Sequence, residues 1–433
     1  MDRTAMDKLV AWKNSGNRKP LIVNGARQVG KTWLLKEFGR KNFDSVAYIS
    51  LDRDSSARGY FDSGLDVHRI ISSISLQLDT DIEPDRTLII LDEIQSCPPA
   101  ITSLKYFCED APEYHVAAAG SLLGISANRG TGFPVGKVNT VDLFPLSFRE
   151  YLGAVGKSRF ETLLDSGDED MVGSFSETLE RELKNYYVVG GMPEAVKAFA
   201  DGEELGRVRE IQSELLENYA SDFAKHIPTR LLARTMLVWE SLPKHLSHEN
   251  KKFVFGQVRK GARASDFEES LIWLEQAGLI HRVPRVTKPG IPLSAYRDGK
   301  AFKVFALDVG LLGAMCELEP SVILEGNRVF TEFKGALTEQ YVCQQLLSAC
   351  GLAPYYWSAE NSRGEIDFLV QREGALYPIE VKAEENLRSR SLRAFSEKYE
   401  SLRPRRFSLS GFRDAGWMKN IPLYSIDYPE SWA

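Results

Sequence analysis

A glycine-rich stretch near the amino terminus has the residue types and spacing of a phosphate-binding loop. Gly25 is followed by four residues and then by Gly30, Lys31 and Thr32, which is the GxxxxGK[ST] pattern. In such a loop backbone N–H groups point at phosphate oxygens, the lysine adds a positive charge, and the hydroxyl ligates Mg²⁺. The pattern predicts that ATP and Mg²⁺ are bound here, by Gly25, Ala26, Arg27, Gln28, Val29, Gly30, Lys31 and Thr32.

Two adjacent carboxylates follow an apolar run further along the chain. Residues 88–91 are all apolar and precede Asp92 and Glu93, which is typical of a strand buried on both faces. Asp92 is predicted to hold Mg²⁺ through water. Glu93 is predicted to be catalytic, because an acid in this position polarises the water that attacks the γ-phosphate. The alternative is a strand that ends in solvated charge.

Three further polar residues are candidates for contact with nucleotide. Ser121 ends another apolar run and is predicted to lie beside the γ-phosphate, with an ordinary loop serine as the alternative. Arg129 and Lys137 lie in the following loop. Either could reach the nucleotide of a neighbouring subunit, and the alternative is a solvated loop charge.

The elements that must position these residues form a repeating pattern. Apolar strands alternate with helical stretches through residues 1–155, which predicts a parallel sheet with helices on both faces. Ligands of such sheets bind at the carboxyl ends of the strands. From residue 177 to 239 the pattern is helical, and Gly190-Gly191 followed by Pro193 predicts a break between two helices, as at a hinge.

Five stretches together resemble a large prokaryotic family of AAA-type P-loop ATPases whose carboxy-terminal domain has no known function. They are "GARQVGKT", "LIILDEIQ", "AAAGSLL", "LFPLSFREYL" and "YYVVGGMPEAV". The resemblance covers nearly the whole chain, and the last two stretches are the most specific. It implies a helical lid, which we assign to residues 156–240. Lys137 stands where the family pattern implies arginine, which weakens the hypothesis of an arginine finger there.

Residues 241–315 resemble a winged helix. A helix, a turn, a second helix and a β wing are predicted, and Leu271, Leu274 and Leu279 supply an apolar face. Winged helices place a helix in the DNA major groove, or contact proteins, and the sequence leaves both open. Basic residues around this segment favour DNA: Lys251, Lys252, Arg259, Lys260, Arg263, Arg282, Arg285 and Lys288.

Residues 316–433 carry four polar residues in an order similar to the PD-(D/E)xK nuclease core. Glu339 lies on a predicted helix, Asp367 on a strand, and Glu380 and Lys382 on the next strand. Residues two apart on a strand face the same way, so we predict that the four converge as a catalytic set, with Asp367 and Glu380 as metal ligands for phosphodiester hydrolysis. The alternative is a nuclease-like fold that only binds DNA or assembles.

Arginines are frequent after this set. They are predicted to contact phosphates, with a solvated helix face as the alternative. The positions are Arg388, Arg390, Arg393, Arg403, Arg405 and Arg406.

Composition sets limits on function. The 433 residues carry a net charge of −6, which excludes a globally basic nucleic-acid coat but not a local basic face. The 5 cysteines have no CxxC spacing, which indicates reduced thiols. No apolar run approaches the roughly 20 residues of a membrane span, and the first residues do not resemble a signal peptide. We therefore expect a cytoplasmic protein with no membrane contact.

The sequence thus predicts an α/β protein with a P-loop AAA-type parallel sheet, a helical lid, a winged-helix-like domain and a restriction-endonuclease-like α/β carboxy-terminal domain. The preferred hypothesis is an ATPase that acts on DNA, with a carboxy-terminal domain that cuts or grips it. The rival is a nucleotide-dependent switch that binds a protein partner. A structural homo-oligomer with residual ATPase activity is a third alternative. The pathway, the preferred DNA and the subunit number are left open.

Overall fold

The computed structural model describes residues 1–62, 64–121, 133–247, 252–325, 331–359, 364–383, 389–399, 401–428 and 432, and of residues 331 and 332 only the backbone. The chain forms two compact units. Unit 1 comprises Met1–Phe144 and Gln276–Leu279, and unit 2 comprises Pro145–Glu275 and Ile280–Ala433. The four predicted domains do not follow this division, since residues 145–155 of the predicted ATPase core lie in unit 2 and residues 276–279 of the predicted winged helix lie in unit 1, and they stay a prediction.

Unit 1 contains the predicted parallel sheet, with strand order β2-β3-β4-β1-β5. All four strand pairs are parallel. β3 and β4, two of the three interior strands, are buried along their whole length, which is why their sequences are nearly continuous apolar runs. The strands are β1 (Leu21–Asn24), β2 (Ser45–Ser50), β3 (Thr87–Asp92), β4 (His115–Gly120) and β5 (Asn139–Asp142).

The helices of unit 1 begin where the sequence supplies starting signals. The Asp66 side chain accepts hydrogen bonds from the backbone N–H groups of His68 and Arg69 and so caps α4. Proline opens α5, where it has no helical hydrogen bond to lose. The helices are α1 (Ala5–Lys13), α2 (Lys31–Asn42), α3 (Ser55–Asp62), α4 (Val67–Leu78) and α5 (Pro98–Asp110).

Unit 2 contains an eight-stranded mixed sheet of order β12-β13-β11-β10-β9-β8-β6-β7. β6 pairs in parallel with β8 through Arg285 opposite Tyr356 and Val286 opposite Trp357. The predicted wing and the predicted nuclease-like core are therefore parts of one sheet. The strands are β6 (Ile280–Val286), β7 (Arg297–Ala306), β8 (Tyr355–Ser358), β9 (Glu365–Arg372), β10 (Ala375–Val381), β11 (Arg405–Ser408), β12 (Arg413–Asp414) and β13 (Lys419–Pro422).

The helices of unit 2 fall before, between and after these strands. Those before β6 include the predicted lid and the two helices of the predicted winged helix. They are α6 (Phe148–Ala154), α7 (Ser158–Asp165), α8 (Glu169–Ser174), α9 (Ser176–Val189), α10 (Pro193–Ala200), α11 (Leu205–His226), α12 (Thr229–Leu246), α13 (Phe255–Val258) and α14 (Ala264–Gln276). The others are α15 (Val309–Met315), α16 (Pro320–Glu325), α17 (Thr331–Ser348) and α18 (Arg390–Lys398).

The stretch "PLSFREYL" forms the start of α6. Ser147 and Glu150 form a capping box, in which each side chain accepts a hydrogen bond from the backbone N–H of the other residue. The Phe148 N–H donates to Gln345 Oε1 of α17 at 2.9 Å. This specific stretch therefore starts a buried helix and ties it to α17.

The predicted break at Gly190-Gly191 is present, and it is tightly packed. A Cβ on Gly190 would lie 2.1 Å from Asp308 Oδ1, and Gly190 has a positive φ of 70°. The Gly191 N–H donates to Asp308 Oδ2 at 2.7 Å, and the Gly191 carbonyl accepts from the Leu146 N–H at 2.7 Å. Gln344 of α17 also donates to Asp308 Oδ2, at 2.9 Å. The two glycines thus serve close backbone packing within unit 2.

Among the described helices, none is both long enough and apolar enough to cross a membrane.

Candidate functional site

The backbone of the predicted phosphate loop needs glycine at both ends. Gly25 has a φ of 153°, and a Cβ there would lie 2.2 Å from the Leu143 carbonyl oxygen. Gly30 has a φ of 95° and directly precedes α2. Since α2 begins at Lys31, the free N–H groups of its first turn lie at the loop, where they favour an anion.

Lys31 is held inside this loop. Its ammonium donates to the carbonyl oxygens of Gly25 and Ala26, at 2.9 and 2.7 Å. Burial lowers the pKa of Lys31 to about 8, and the nearby carboxylates of Glu93 and Asp92 partly oppose this shift. The Lys31 ammonium can therefore exchange its hydrogen bonds to two neutral carbonyl oxygens for hydrogen bonds to a charged phosphate.

Asp92 and Thr32, the two predicted magnesium ligands beside the loop, lie in contact. The Thr32 hydroxyl lies 2.9 and 3.1 Å from the two Asp92 carboxylate oxygens. Tyr48 also donates to Asp92, at 2.8 Å. Mg²⁺ prefers oxygen ligands and takes few of them from the protein, so one carboxylate and one hydroxyl fit such an ion.

Tyr48 is a site residue that sequence reasoning missed. It lies on β2, which pairs in parallel with β3, so its hydroxyl reaches the carboxylate at the end of the neighbouring strand. Burial raises the pKa of Tyr48 to about 12, and the hydrogen bond to Asp92 adds to this shift. Tyr48 is therefore a fixed donor, and its position near the end of β2 was the only signal that the sequence offered.

Glu93 and Ser121 lie on adjacent strand ends. Glu93 follows β3 directly and Ser121 follows β4 directly, and both strands are parallel. Gln95 connects them, because its amide donates to Glu93 Oε2 and lies 3.4 Å from the Ser121 hydroxyl. Gln95 was not predicted from the sequence as a site residue, although it belongs to the stretch "LIILDEIQ".

Of Arg129 and Lys137, the two candidates for contact with the nucleotide of a neighbouring subunit, only Lys137 lies among the described residues. Arg129 lies outside the described residues. The Lys137 ammonium lies 2.8 Å from Glu109 Oε1 and its side chain is 42% exposed. This pair is compatible with a solvated loop charge, and a role of Lys137 at a neighbouring subunit stays a prediction.

The carboxy-terminal set is brought together in part. Glu380 and Lys382 face the same way, with 3.2 Å between Lys382 Nζ and Glu380 Oε1. β9 and β10 form the predicted hairpin, and Asp367 Oδ2 accepts from the Val381 N–H at 2.8 Å. Glu339 lies on α17 as expected and is buried.

A lysine that the sequence did not single out lies among these acids. Lys303 of β7 is fully buried, with its ammonium 2.5 Å from Glu365 Oε1 and 3.7 Å from Glu339 Oε2. Burial alone would lower the pKa of Lys303, but the carboxylates of Glu339, Glu365 and Asp367 outweigh it and hold this pKa above its ordinary value. The chain itself thus supplies a cation to the acidic set.

This lysine bears directly on the predicted metal site. Within the described part of the chain, no group of three or more His, Cys, Asp or Glu side chains has an arrangement that could hold a metal ion. Of the two predicted metal ligands, Lys303 acts electrostatically on Asp367 only, and its ion pairs are with Glu339 and Glu365. The nuclease mechanism through Glu339, Asp367, Glu380 and Lys382 therefore stays a prediction.

Two of the predicted phosphate-contacting arginines are buried, which corrects that prediction. Arg405 and Arg406 are 6% and 2% exposed. Arg406 donates to Asn420 Oδ1 at 2.7 Å, and Arg405 donates to the Trp432 carbonyl oxygen at 3.3 Å. They lie on β11 inside the sheet, so they hold the domain together. Exposed positions remain at Arg390, Arg393 and Arg403, and Arg388 lies outside the described residues.

The basic residues around the predicted winged helix also include some that are paired within unit 2 and some that are exposed. Arg282 forms ion pairs with Glu268 and Glu275. Arg285 pairs with Asp298 at 3.3 Å and donates to the Ser358 carbonyl oxygen at 2.8 Å. Both are therefore engaged within unit 2. Lys251 lies outside the described residues. The turn before α14 keeps three exposed cations, which are Arg259, Lys260 and Arg263.

Family models match three separate parts of the chain. Residues 17–152 match the model of an AAA domain. Residues 180–322 and 334–415 match two domains of unknown function, DUF8612 and DUF4143. Together with the phosphate loop, the paired carboxylates and the five-stranded parallel sheet, the first match shows that residues 17–152 have the fold of an AAA-type P-loop domain. No curated protein matches the sequence.

Several solved structures resemble the chain at low identity. A Walker-type ATPase of Pyrococcus abyssi is 14% identical with a TM-score of 0.47, covering 73% of this chain and 95% of its own. The ORC2 protein of Aeropyrum pernix in its ADPNP-ADP complexes is 13% identical with a TM-score of 0.37, covering 74% and 89%. The RuvB Holliday junction branch migration motor of Thermotoga maritima is 15% identical with a TM-score of 0.31, covering 66% and 90%.

Proposed function

We propose that this chain binds ATP with Mg²⁺ and hydrolyses it, and that it uses the cycle to act on DNA. The observation that carries the ATPase proposal is the convergence of the buried Lys31 ammonium, the Thr32–Asp92 pair and Glu93 at the carboxyl ends of parallel strands. These are the groups that phosphoryl transfer to water requires.

Each residue has a role that follows from its position. The ammonium of Lys31 leaves the loop carbonyls and binds the β- and γ-phosphates. Thr32 and Asp92 hold Mg²⁺, which when bound neutralises charge on the phosphate oxygens. Tyr48 keeps the Asp92 carboxylate in place through its hydrogen bond. Glu93 orients and polarises the attacking water, and Ser121 contacts the γ-phosphate.

The lowered pKa of Lys31 makes ATP binding dependent on pH. The nucleotide-free lysine loses its proton near pH 8, whereas bound phosphates favour the charged form. Binding above pH 8 must therefore bring proton uptake, and the Kd for ATP should rise with pH, by at most about tenfold per pH unit. Calorimetry at pH 8.5 in two buffers of different ionisation enthalpy measures the proton directly.

A matched control comes from the same helix. Lys41 lies at the end of α2, is 43% exposed and pairs with Glu37. Lys41→Ala should leave both the proton uptake and the pH dependence unchanged. A Kd that stays constant from pH 7 to 9.5 with no proton uptake would contradict the assignment of this pKa to the phosphate-binding lysine.

The DNA part of the proposal is supported by exposed cations. The turn before α14 presents Arg259, Lys260 and Arg263 where a winged helix would meet a phosphate backbone. A nucleotide-dependent switch that binds a protein is the second candidate. The engagement of Arg282, Arg285 and the β11 arginines within unit 2 favours that candidate, because it removes charge from the predicted DNA surface.

Charge reversal separates the two candidates. Replacing Arg259, Lys260 and Arg263 together by glutamate should weaken DNA binding about 10- to 100-fold at ~100 mM salt, because each phosphate that the protein no longer neutralises keeps its counterion. The slope of log K against log salt should also become shallower by about 0.9 for each such phosphate. ATPase activity measured with and without DNA reports whether binding is coupled to the cycle.

The control for this experiment is the same charge change on other exposed positions of unit 2. Arg159, Lys197 and Lys225 are exposed and lie outside the predicted winged helix. Equal DNA affinity in the two triple variants would show that binding does not use the turn before α14. Absence of DNA binding by the unaltered chain, with ATPase activity intact, would support the protein-binding switch.

A further inference from the structure

The short turn after β3 carries a side chain that contacts two different strand ends. Glu93 has a left-handed backbone with a φ of 52° and opens a single 3₁₀ turn, Ile94–Ser96. The Ser96 N–H closes this turn on the Glu93 carbonyl oxygen at 2.9 Å. The reversal brings Gln95 back beside the residue that begins the turn, which an extended chain would not do.

One amide group then contacts both polar partners. Gln95 Nε2 donates to Glu93 Oε2 and lies 3.4 Å from Ser121 Oγ. An amide NH₂ group carries two hydrogens, so it can donate to a carboxylate and to a hydroxyl at once. Ser121 is 4% exposed, so water competes poorly for its hydroxyl. Gln95 is therefore a direct connection between the ends of β3 and β4.

We propose that Gln95 is a positioning residue that fixes the Glu93 carboxylate and connects its orientation to the γ-phosphate contact at Ser121. This inference rests on the proposed ATP hydrolysis. A carboxylate that activates water works only within a narrow range of positions. Gln95 holds Glu93 through one hydrogen and responds to Ser121 through the other. When the Ser121 hydroxyl turns to a phosphate oxygen, the amide donates to Glu93 alone.

The role predicts a specific kinetic signature. Gln95 has no hydrogen bond to the loop residues or to Asp92 among the described contacts, so nucleotide binding should not need it. Gln95→Ala should therefore lower kcat by about 10- to 100-fold and leave KM and the Kd for ATP within about twofold. Gln95→Glu should lower kcat at least as much, because it places a second carboxylate against Glu93.

A double-mutant cycle tests the connection. Gln95→Ala, Ser121→Ala and the double variant are compared for kcat, KM and ATP affinity in the full chain with Mg²⁺. Residues that act through one another are non-additive, so the double variant should be no slower than the slower single variant. Gln77→Ala is the matched control, because Gln77 also donates to a carboxylate, that of Asp54, outside the site. It should leave kcat unchanged.

The outcomes are distinguishable. If the unaltered chain hydrolyses ATP and Gln95→Ala keeps its kcat, the positioning role is overturned and the ATPase proposal stands. Additive losses in the double variant overturn the connection to Ser121. No hydrolysis by the unaltered chain overturns the proposed function and this inference with it. If Gln95→Ala does not fold, Gln95→Met, which keeps the length of the side chain and removes the donor, gives the same test.

Discussion

Replacing Glu93 by glutamine is expected to stop ATP turnover while ATP still binds. The substitution keeps the size of the side chain and removes the negative charge that polarises the attacking water. General-base catalysis contributes about 10²- to 10⁴-fold, so kcat should fall by at least about 100-fold. The phosphate loop is untouched, and the Kd for ATP should stay within a few-fold. Single-turnover hydrolysis and equilibrium binding measure the two quantities separately.

Two other variants test whether the loss of turnover is specific to Glu93. Lys31→Ala removes the ammonium that binds the phosphates, so it should lose ATP binding itself. Glu109→Gln neutralises a glutamate of the same unit that pairs with Lys137, and it should hydrolyse ATP normally. If Glu93→Gln turned over ATP at the rate of the unaltered chain, another group would have to activate the water, and the proposed mechanism would fail.

The site residues that could be predicted are those whose roles follow from neighbouring residues in the sequence. The loop glycines, Lys31 and Thr32 lie within one turn and the start of one helix, and Asp92 follows an apolar run that needs two covered faces. Such patterns depend on local geometry alone. Tyr48 was not predicted because its role depends on which strand pairs with β3 and on which way its side chain points, neither of which is local.

The same distinction explains the outcome in unit 2. The Glu380–Lys382 pair was predicted because residues two apart on a strand share a side. Lys303 was not, because it lies on β7, which pairs with β6, and its approach to Glu365 depends on the long-range pairing of β6 with β8. Arg405 and Arg406 were misjudged because arginine is seldom buried, and the acceptor that satisfies Arg406, Asn420, comes from the neighbouring strand.

Removal of the Lys303 charge is expected to destabilise unit 2 strongly. Lys303→Met keeps most of the side-chain volume and removes the charge, which leaves the carboxylates around it without their cation. Breaking a buried ion pair on one side typically destabilises by about 3–5 kcal/mol. Arg393→Met removes the cation of a pair with Glu397 in which both side chains are 66% exposed, and it should change stability by less than about 1 kcal/mol. Chemical denaturation measures both.

Lys303→Met also tests whether the carboxylates of Glu339, Glu365 and Asp367 bind a metal ion or only form ion pairs. If Lys303 stands in the place of a metal, Lys303→Met should gain thermal stability from Mn²⁺ once Glu339, Glu365 and Asp367 rearrange around the ion, because their present arrangement does not hold a metal, and the unaltered chain should gain none. The unaltered chain should also leave plasmid DNA intact with Mg²⁺ or Mn²⁺, as should Asp367→Ala. Cleavage by the unaltered chain that is lost in Asp367→Ala would show that Lys303 and a metal coexist, and the nuclease prediction would then stand. Cleavage in neither leaves these carboxylates as an ionic joint that connects β7, α17 and β9 within unit 2.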